Sequence, residues 1–127
     1  MVLAVIKYFY KKNMYLNIQE KTIKEDFSMT ISKNLEGDKL TVAVEGRLDT
    51  VTAPDLESEL KSTLEGVKEL VMDFTKLEYI SSAGLRVLLA AFKKMDAKGG
   101  KMKLTNINEM VREVLDVTGL MSVLTVE

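Results

Sequence analysis

From Met29 onward the chain alternates apolar and polar residues in two short runs, TISKNLEG and KLTVAVEG, with Gly37-Asp38 between them. A period of two sends successive side chains to opposite faces, and a Gly-Asp pair suits a tight hairpin turn, so this stretch predicts two antiparallel strands. The period then changes. In APDLESELKSTLEG, Leu56, Leu60 and Leu64 recur every four residues, Pro54 and acidic residues open the run and Gly66 closes it, which predicts an amphipathic helix. KELVMDF is a short apolar run ending in Asp73, suited to a buried strand. After TKLEYISS, helical spacing returns over Ala83 to Lys98: Leu85, Leu88, Leu89, Phe92 and Met95 form one stripe, Arg86, Lys93, Lys94 and Asp96 fall largely elsewhere, and Gly99-Gly100 stops the run. KMKLTN predicts another strand. NINEMVREVLDVTG predicts a last amphipathic helix, with Asn106 and Glu109 at capping-box spacing and Gly119 at its end. LMSVLTVE closes the chain with a short apolar piece. Two strands followed by alternating helix and strand predict an α/β fold, a mixed sheet of four to five strands with helices packed against it.

Residues 1–28 break this regularity. They hold three of the four tyrosines and two of the four phenylalanines, and KEDFSM joins them to the rest. Two readings stand: an upstream extension with no separate task, including a start that is not the native one, or an arm that packs through Ile6, Tyr8, Phe9 and Tyr15 on the domain or on a second copy. The apolar stretch VLAVIKYFY ends at Lys11 and Lys12, far short of the roughly 20 residues that span a bilayer, and no small-residue cleavage site follows. Neither a membrane span nor a signal peptide is expected, and the expected organisation is an extension over 1–28 and one domain over 29–127.

Composition narrows the chemistry. With 127 residues, 46% of them hydrophobic, the chain has enough apolar material for one packed core. Eighteen basic against nineteen acidic residues leave a net charge of -1, without the basic footprint that binding to nucleic acid phosphates needs. The chain has no cysteine and no histidine, so thiolate nucleophiles, imidazole bases, disulfides and the commonest transition-metal ligands are all missing. No metal site is expected, and the lack of cysteine fits a reducing, cytoplasmic setting.

The chemistry that remains collects in YISSAGLRVLL, residues 79–89. Serine catalysis needs a general base, which without histidine leaves only lysine or carboxylate variants, and the Gly-x-Ser-x-Gly spelling of a nucleophile elbow is absent. Neither Gly-x-x-x-x-Gly-Lys nor Gly-x-Gly-x-x-Gly occurs, so no nucleotide loop is read here. The turn has two remaining explanations. Small residues let the chain bend sharply while a serine hydroxyl caps the first helical amides. Alternatively, a hydroxyl at an exposed helix start accepts a phosphoryl group, whose charge of roughly -1.5 to -2 would sit by the positive end of the helix and repel a partner placed against the turn.

The stretch VMDFTKLEYISSAGLRVLL resembles the signature of the bacterial anti-sigma factor antagonists, the STAS-domain family: a strand ending in Asp followed by Ser or Thr, a short gap, an aromatic or apolar pair, then Asp/Ser-Ser-Ala/Ser-Gly-Leu leading into a helix. VEGRLDTVTAPDLESEL resembles the family's earlier Gly-x-Leu/Ile-Asp segment and the helix after it, and the order of elements matches from about Met29 to Glu127. Residues 1–28 lie outside the resemblance. It implies a STAS fold and, carried over position by position, Ser82 as the phosphorylated hydroxyl, with Ser81 second. Ala83 stands where some members carry the acceptor serine and cannot be modified. Ser81 stands where an aspartate is common, so the acidic neighbour that some partner kinases recognise is missing.

The same resemblance implies a partner-facing surface made of Asp49, Ser81, Ser82, Ala83, Gly84 and Arg86. Asp73 is expected to shape its loop by local hydrogen bonds, and Leu85 to pack in the core; a turn-forming carboxylate is the competing explanation for Asp49, and a solvated helix face for Arg86. The implied function is that of an anti-sigma factor antagonist. Unphosphorylated, it captures an anti-sigma factor that is also a serine kinase and so frees a sigma factor; phosphorylation of Ser82 releases the complex and a phosphatase resets it. No catalytic residue and no cofactor belong to this chain in that scheme, since ATP belongs to the partner kinase, and the protein is expected to be a monomer or weak homodimer with no nucleic acid or membrane partner. The alternative is an unmodified STAS scaffold subunit of a signalling or lipid-transport assembly.

Overall fold

The structure is a computed structural model, and it describes residues 29–127. The two readings of residues 1–28 concern a segment outside those described.

The hairpin forms as its pattern predicts. β1 (Met29–Glu36) and β2 (Lys39–Leu48) pair antiparallel in continuous register from Met29 opposite Gly46 to Glu36 opposite Lys39. The positive φ of +66° at Gly37 falls on the first residue of the two-residue loop, where glycine carries no Cβ penalty. Helix α1 (Ala53–Thr63) follows, then β3 (Glu69–Asp73), β4 (Leu77–Ile80), helix α2 (Ser82–Ala97), β5 (Lys101–Thr105), helix α3 (Glu109–Val117), a single turn of 3₁₀ helix at Leu120–Ser122 and β6 (Thr125–Val126). The sheet runs β1-β2-β3-β5-β6, and every pairing except β1 with β2 is parallel.

The sheet has six strands, where the sequence pattern predicts four to five. β4 was not separable by pattern because it lies on the same flank of β2 as β3, as a continuation of it. β2 pairs with β3 through residues 39–43 and with β4 through residues 46–48, and the chain breaks between them at Phe74 to Lys76. A bulge at Gly46/Arg47, where Gly46 has φ of +98°, lets β2 change partners. At the far edge β6 is only two residues long, too short to carry a period.

One core sits between the sheet and the helices. Leu40, Val42 and Val44 of β2, Leu70 and Met72 of β3, and Met102 and Leu104 of β5 alternate inward, and they share a single buried cluster with Leu56 and Leu60 of α1, Leu85, Leu88, Ala91 and Met95 of α2, and Val111 and Leu115 of α3. The leucine ladder of α1 is buried throughout, Leu64 included. Full burial of one such side chain contributes about 1.5–3 kcal/mol, so these stripes decide which way each helix faces.

One predicted cap is corrected. Asn106 and Glu109 have capping-box spacing, but α3 is capped by Asn108, whose Oδ1 accepts from the Val111 amide at 2.8 Å. Asn106 instead adopts φ of +57°, and its Nδ2 donates to Asp73 at 3.3 Å. Asparagine tolerates the left-handed region, and here a tertiary partner holds it there. Asn108 also donates from Nδ2 to the Leu77 carbonyl at 2.9 Å, tying α3 to β4.

Candidate functional site

Two parallel strands create the site. β2 and β4 end side by side, with Leu48 opposite Ile80, so the loop after β2 and the turn after β4 leave the sheet together. In α/β sheets this carboxyl end of neighbouring parallel strands is where ligands and partners are ordinarily met. The Ser81 amide donates to the Leu48 carbonyl at 2.9 Å, which joins the two segments directly.

The two serines do different work at this turn. Ser81 is the N-cap of α2; it has extended backbone, is half-buried, and its Oγ accepts from the Ala83 amide at 3.2 Å. A hydroxyl in that position satisfies an amide the helix leaves unpaired. Ser82 is the first helical residue and is exposed, and its hydroxyl makes no hydrogen bond with any described residue. Ala83 is half-buried and Gly84 and Leu85 are buried, while Arg86 is exposed one turn beyond Ser82 on the same face of α2.

Gly84 is fixed by sterics. A Cβ at this position would lie 2.7 Å from Leu48 Cγ, 2.9 Å from Ile80 Cγ1 and 3.0 Å from the Leu48 carbonyl oxygen. Only a residue without a side chain lets α2 begin this close to the ends of β2 and β4, and that close approach presents Ser82 at the carboxyl ends of these two strands.

The loop beside it, residues 49–52, is braced from within. Asp49 Oδ1 accepts from the Val51 amide at 3.0 Å and the Thr52 amide at 3.2 Å, while its Oδ2 lies 3.6 Å from Arg47 Nε. Thr52 accepts from the Asp49 amide at 2.9 Å and donates to the Arg47 carbonyl at 2.7 Å. Asp49 and Thr52 are both buried, so the geometry gives Asp49 the turn-forming role. The Arg47 guanidinium stacks over the Tyr79 ring, 4.3 Å from its centre, across the β2–β4 pair. Arg47, Thr52 and Tyr79 were not singled out from the sequence. Thr52 carried a signal, since a threonine just before Ala53-Pro54 has the form of a helix start, whereas the Arg47–Tyr79 stack depends on a register that begins at a bulge.

Asp73 stands elsewhere. It pairs with Ala43 on β2, five residues before Leu48 and so about 16 Å along the strand from the serine turn. Its Oδ1 accepts from the Thr75 hydroxyl at 2.6 Å, the Thr75 amide at 3.0 Å and Asn106 Nδ2, shaping the break between β3 and β4. The hydrogen bond from the Thr75 hydroxyl, with help from the Thr75 amide and Asn106 and against a smaller opposing effect of burial, holds the Asp73 carboxyl below its ordinary pKa. Among the described residues no group of three or more acidic side chains is placed to hold a metal ion, and no helix is long and apolar enough to cross a membrane.

The STAS domain model matches residues 27–127, and the chain belongs to that family. BtrV of Bordetella bronchiseptica, which carries an anti-sigma factor antagonist name, is 35% identical over 88 residues, 68% of this chain and 76% of that protein. The anti-sigma-B factor antagonist of Bacillus subtilis is 31% identical over 87 residues, covering 68% of this chain and 80% of its own. Among solved structures, an anti-sigma factor antagonist from Mycobacterium paratuberculosis superposes with a TM-score of 0.71 at 27% identity, over 78% of this chain and 85% of that one. The mixed sheet with three helices is thus the STAS fold.

Proposed function

We propose that this chain is an anti-sigma factor antagonist whose serine turn binds an anti-sigma factor with serine kinase activity, and that phosphorylation of Ser82 ends that binding. The observation that carries the reading is the division of labour between the serines. Ser81 spends its hydroxyl and its amide inside the fold, while the Ser82 hydroxyl is exposed at the first residue of α2. A modified Ser81 would lose its cap; a modified Ser82 leaves the backbone bonds of the turn in place. The names of the relatives support the same role.

The chemistry is supplied by the partner. The Ser82 oxygen bonds to the γ-phosphorus of ATP as the bond to the β-phosphate oxygen breaks; the hydroxyl proton passes to a base of the kinase and ADP leaves. Hydrolysis by a phosphatase returns the hydroxyl and releases inorganic phosphate. This chain needs no catalytic group: it offers a rigid turn, with Gly84 setting the depth, the loop of Asp49 and Thr52 fixing the neighbouring wall and Arg86 on the open face. A charge of roughly -1.5 to -2 added at a contact fitted to a neutral hydroxyl breaks charge complementarity at the centre of the interface.

Intact mass of the protein incubated with its cognate anti-sigma kinase and ATP, compared with Ser82→Ala and Ser81→Ala, tests the site. One added phosphoryl group is expected, lost in Ser82→Ala and kept in Ser81→Ala. Calorimetry with the same kinase should then give wild-type affinity at least about 100-fold above that of Ser82→Asp, a loss of roughly 3 kcal/mol. Equal affinity for wild type, Ser82→Ala and Ser82→Asp would instead make the domain an unmodified scaffold.

A further inference from the structure

We propose that a phosphoryl group on Ser82 is gripped within the domain by Arg86, so that this chain carries its own receptor for the modification that switches it. The inference rests on the reading of Ser82 as the modified residue and adds what the modification does to the free protein.

Arg86 is exposed four residues after Ser82, and at this spacing on a helix the two Cβ atoms stand about 5–6 Å apart. Helical side chains lean toward the N-terminus, so the Arg86 guanidinium can reach back to Ser82 from its position one turn later. An anion placed N-terminal to a cation at this separation is also the favourable order. The guanidinium presents two parallel N–H groups to phosphate oxygens, a match lysine lacks.

Arg86 has no competing acid nearby on its helix. The positions three and four residues away are Ser82, Ala83, Leu89 and Ala90, and Arg86 makes no ion pair with any described residue. The first turn of α2 contains no acidic side chain, in contrast with α1 and α3, which open with Asp55 and Glu109. The other arginine at this end of the sheet, Arg47, is committed to Asp49 and to the Tyr79 ring. Phosphorylated Ser82 would supply the missing anion and Arg86 would be its partner. The grip also withdraws an exposed cation from the face offered to the kinase, so the modification changes two features of the surface at once.

The test uses the full chain with phosphoserine inserted at position 82 during translation, which needs no kinase. Phosphorus NMR titration of the wild type, Arg86→Ala and Arg86→Lys follows the second ionisation of the phosphate. The midpoint in the wild type should lie lower than in Arg86→Ala by about 0.3 pH unit or more, with Arg86→Lys between them. The Arg47–Asp49 pair is common to all three proteins, so the difference isolates Arg86. Thermal unfolding of the unphosphorylated Arg86→Ala protein should match the wild type, and phosphorylation should raise the midpoint in the wild type more than in the variant. Equal phosphate midpoints in the three proteins would overturn the proposal. An unmodified Ser82 after incubation with the cognate kinase is a different result, which removes the parent reading and leaves the measured grip without a natural occupant.

Discussion

Replacing Gly84 by alanine asks whether the depth of α2 against the sheet is set by that single missing side chain. The added Cβ would meet Leu48 Cγ at 2.7 Å, Ile80 Cγ1 at 2.9 Å and the Leu48 carbonyl oxygen at 3.0 Å. A flexible side chain could turn aside, but the oxygen cannot, because it accepts from the Ser81 amide and its strand is paired to β1 and β4. The helix start must therefore lift. Overpacking of this kind costs about 1–3 kcal/mol, against a gain of at most about 1 kcal/mol from replacing glycine by alanine in a helix. Because the fixed oxygen leaves little room to relax, the upper part of that range, about 2–3 kcal/mol, applies, and the expected net loss is about 1–2 kcal/mol. For a domain of this size each kcal/mol moves the thermal midpoint by roughly 4–8 °C, so calorimetry should show a fall of about 4–16 °C. Because the lifted segment carries Ser82, affinity for the anti-sigma kinase should fall as well, while Ser82→Ala leaves the midpoint within about 4 °C. A Gly84→Ala protein as stable as the wild type, or more so, would refute the reasoning: the turn would then yield freely, and glycine would not be what positions the serine.

Two further outcomes separate the roles assigned around the site. Ser81→Ala removes the α2 cap and should cost about 1 kcal/mol by chemical denaturation, whereas Ser82→Ala should stay within about 0.5 kcal/mol of wild type; equal losses would contradict the division between them. Asp73 has a depressed pKa in the folded state, so its contribution to stability is complete above the unfolded value of about 3.9 and fades as pH falls through the lower folded value. Asp73→Asn should therefore be less stable than wild type at pH 7, with the gap narrowing below pH about 4; a gap that is constant from neutral pH to acid would show that the charge of Asp73 is not what the Thr75 hydroxyl and Asn106 stabilise.

The serine turn is where pattern and outcome can be compared most closely. YISSAGLRVLL announces a strand, a tight turn and a helix, and the resemblance singles out Ser82, but the two adjacent serines look alike as letters. They part company only when Ser81 adopts extended backbone, donates its amide to Leu48 and caps Ala83, which requires β2 and β4 to lie side by side. The misplaced cap of α3 has the same origin. Asn106 and Asn108 are both plausible caps by type, and what separates them is Asp73, 33 residues earlier, holding Asn106 in the left-handed region. The extra strand is a third instance, since LEYI carries too few residues to declare a period and becomes a strand through its pairing with β2.

What the sequence by itself determined is everything that repeats locally: the hairpin at Gly37-Asp38, the leucine ladder of α1, the stripe of α2 and hence the α/β order. These are set by side-chain periodicity and turn chemistry within a few residues of each other. Only the tertiary structure decided the bulge at Gly46, the stacking of Arg47 on Tyr79, the depth of Gly84 and the exposure of Ser82. Each of those depends on which strand ends lie beside which, a relation between residues some 30 apart that burial of the whole core enforces and no local window contains.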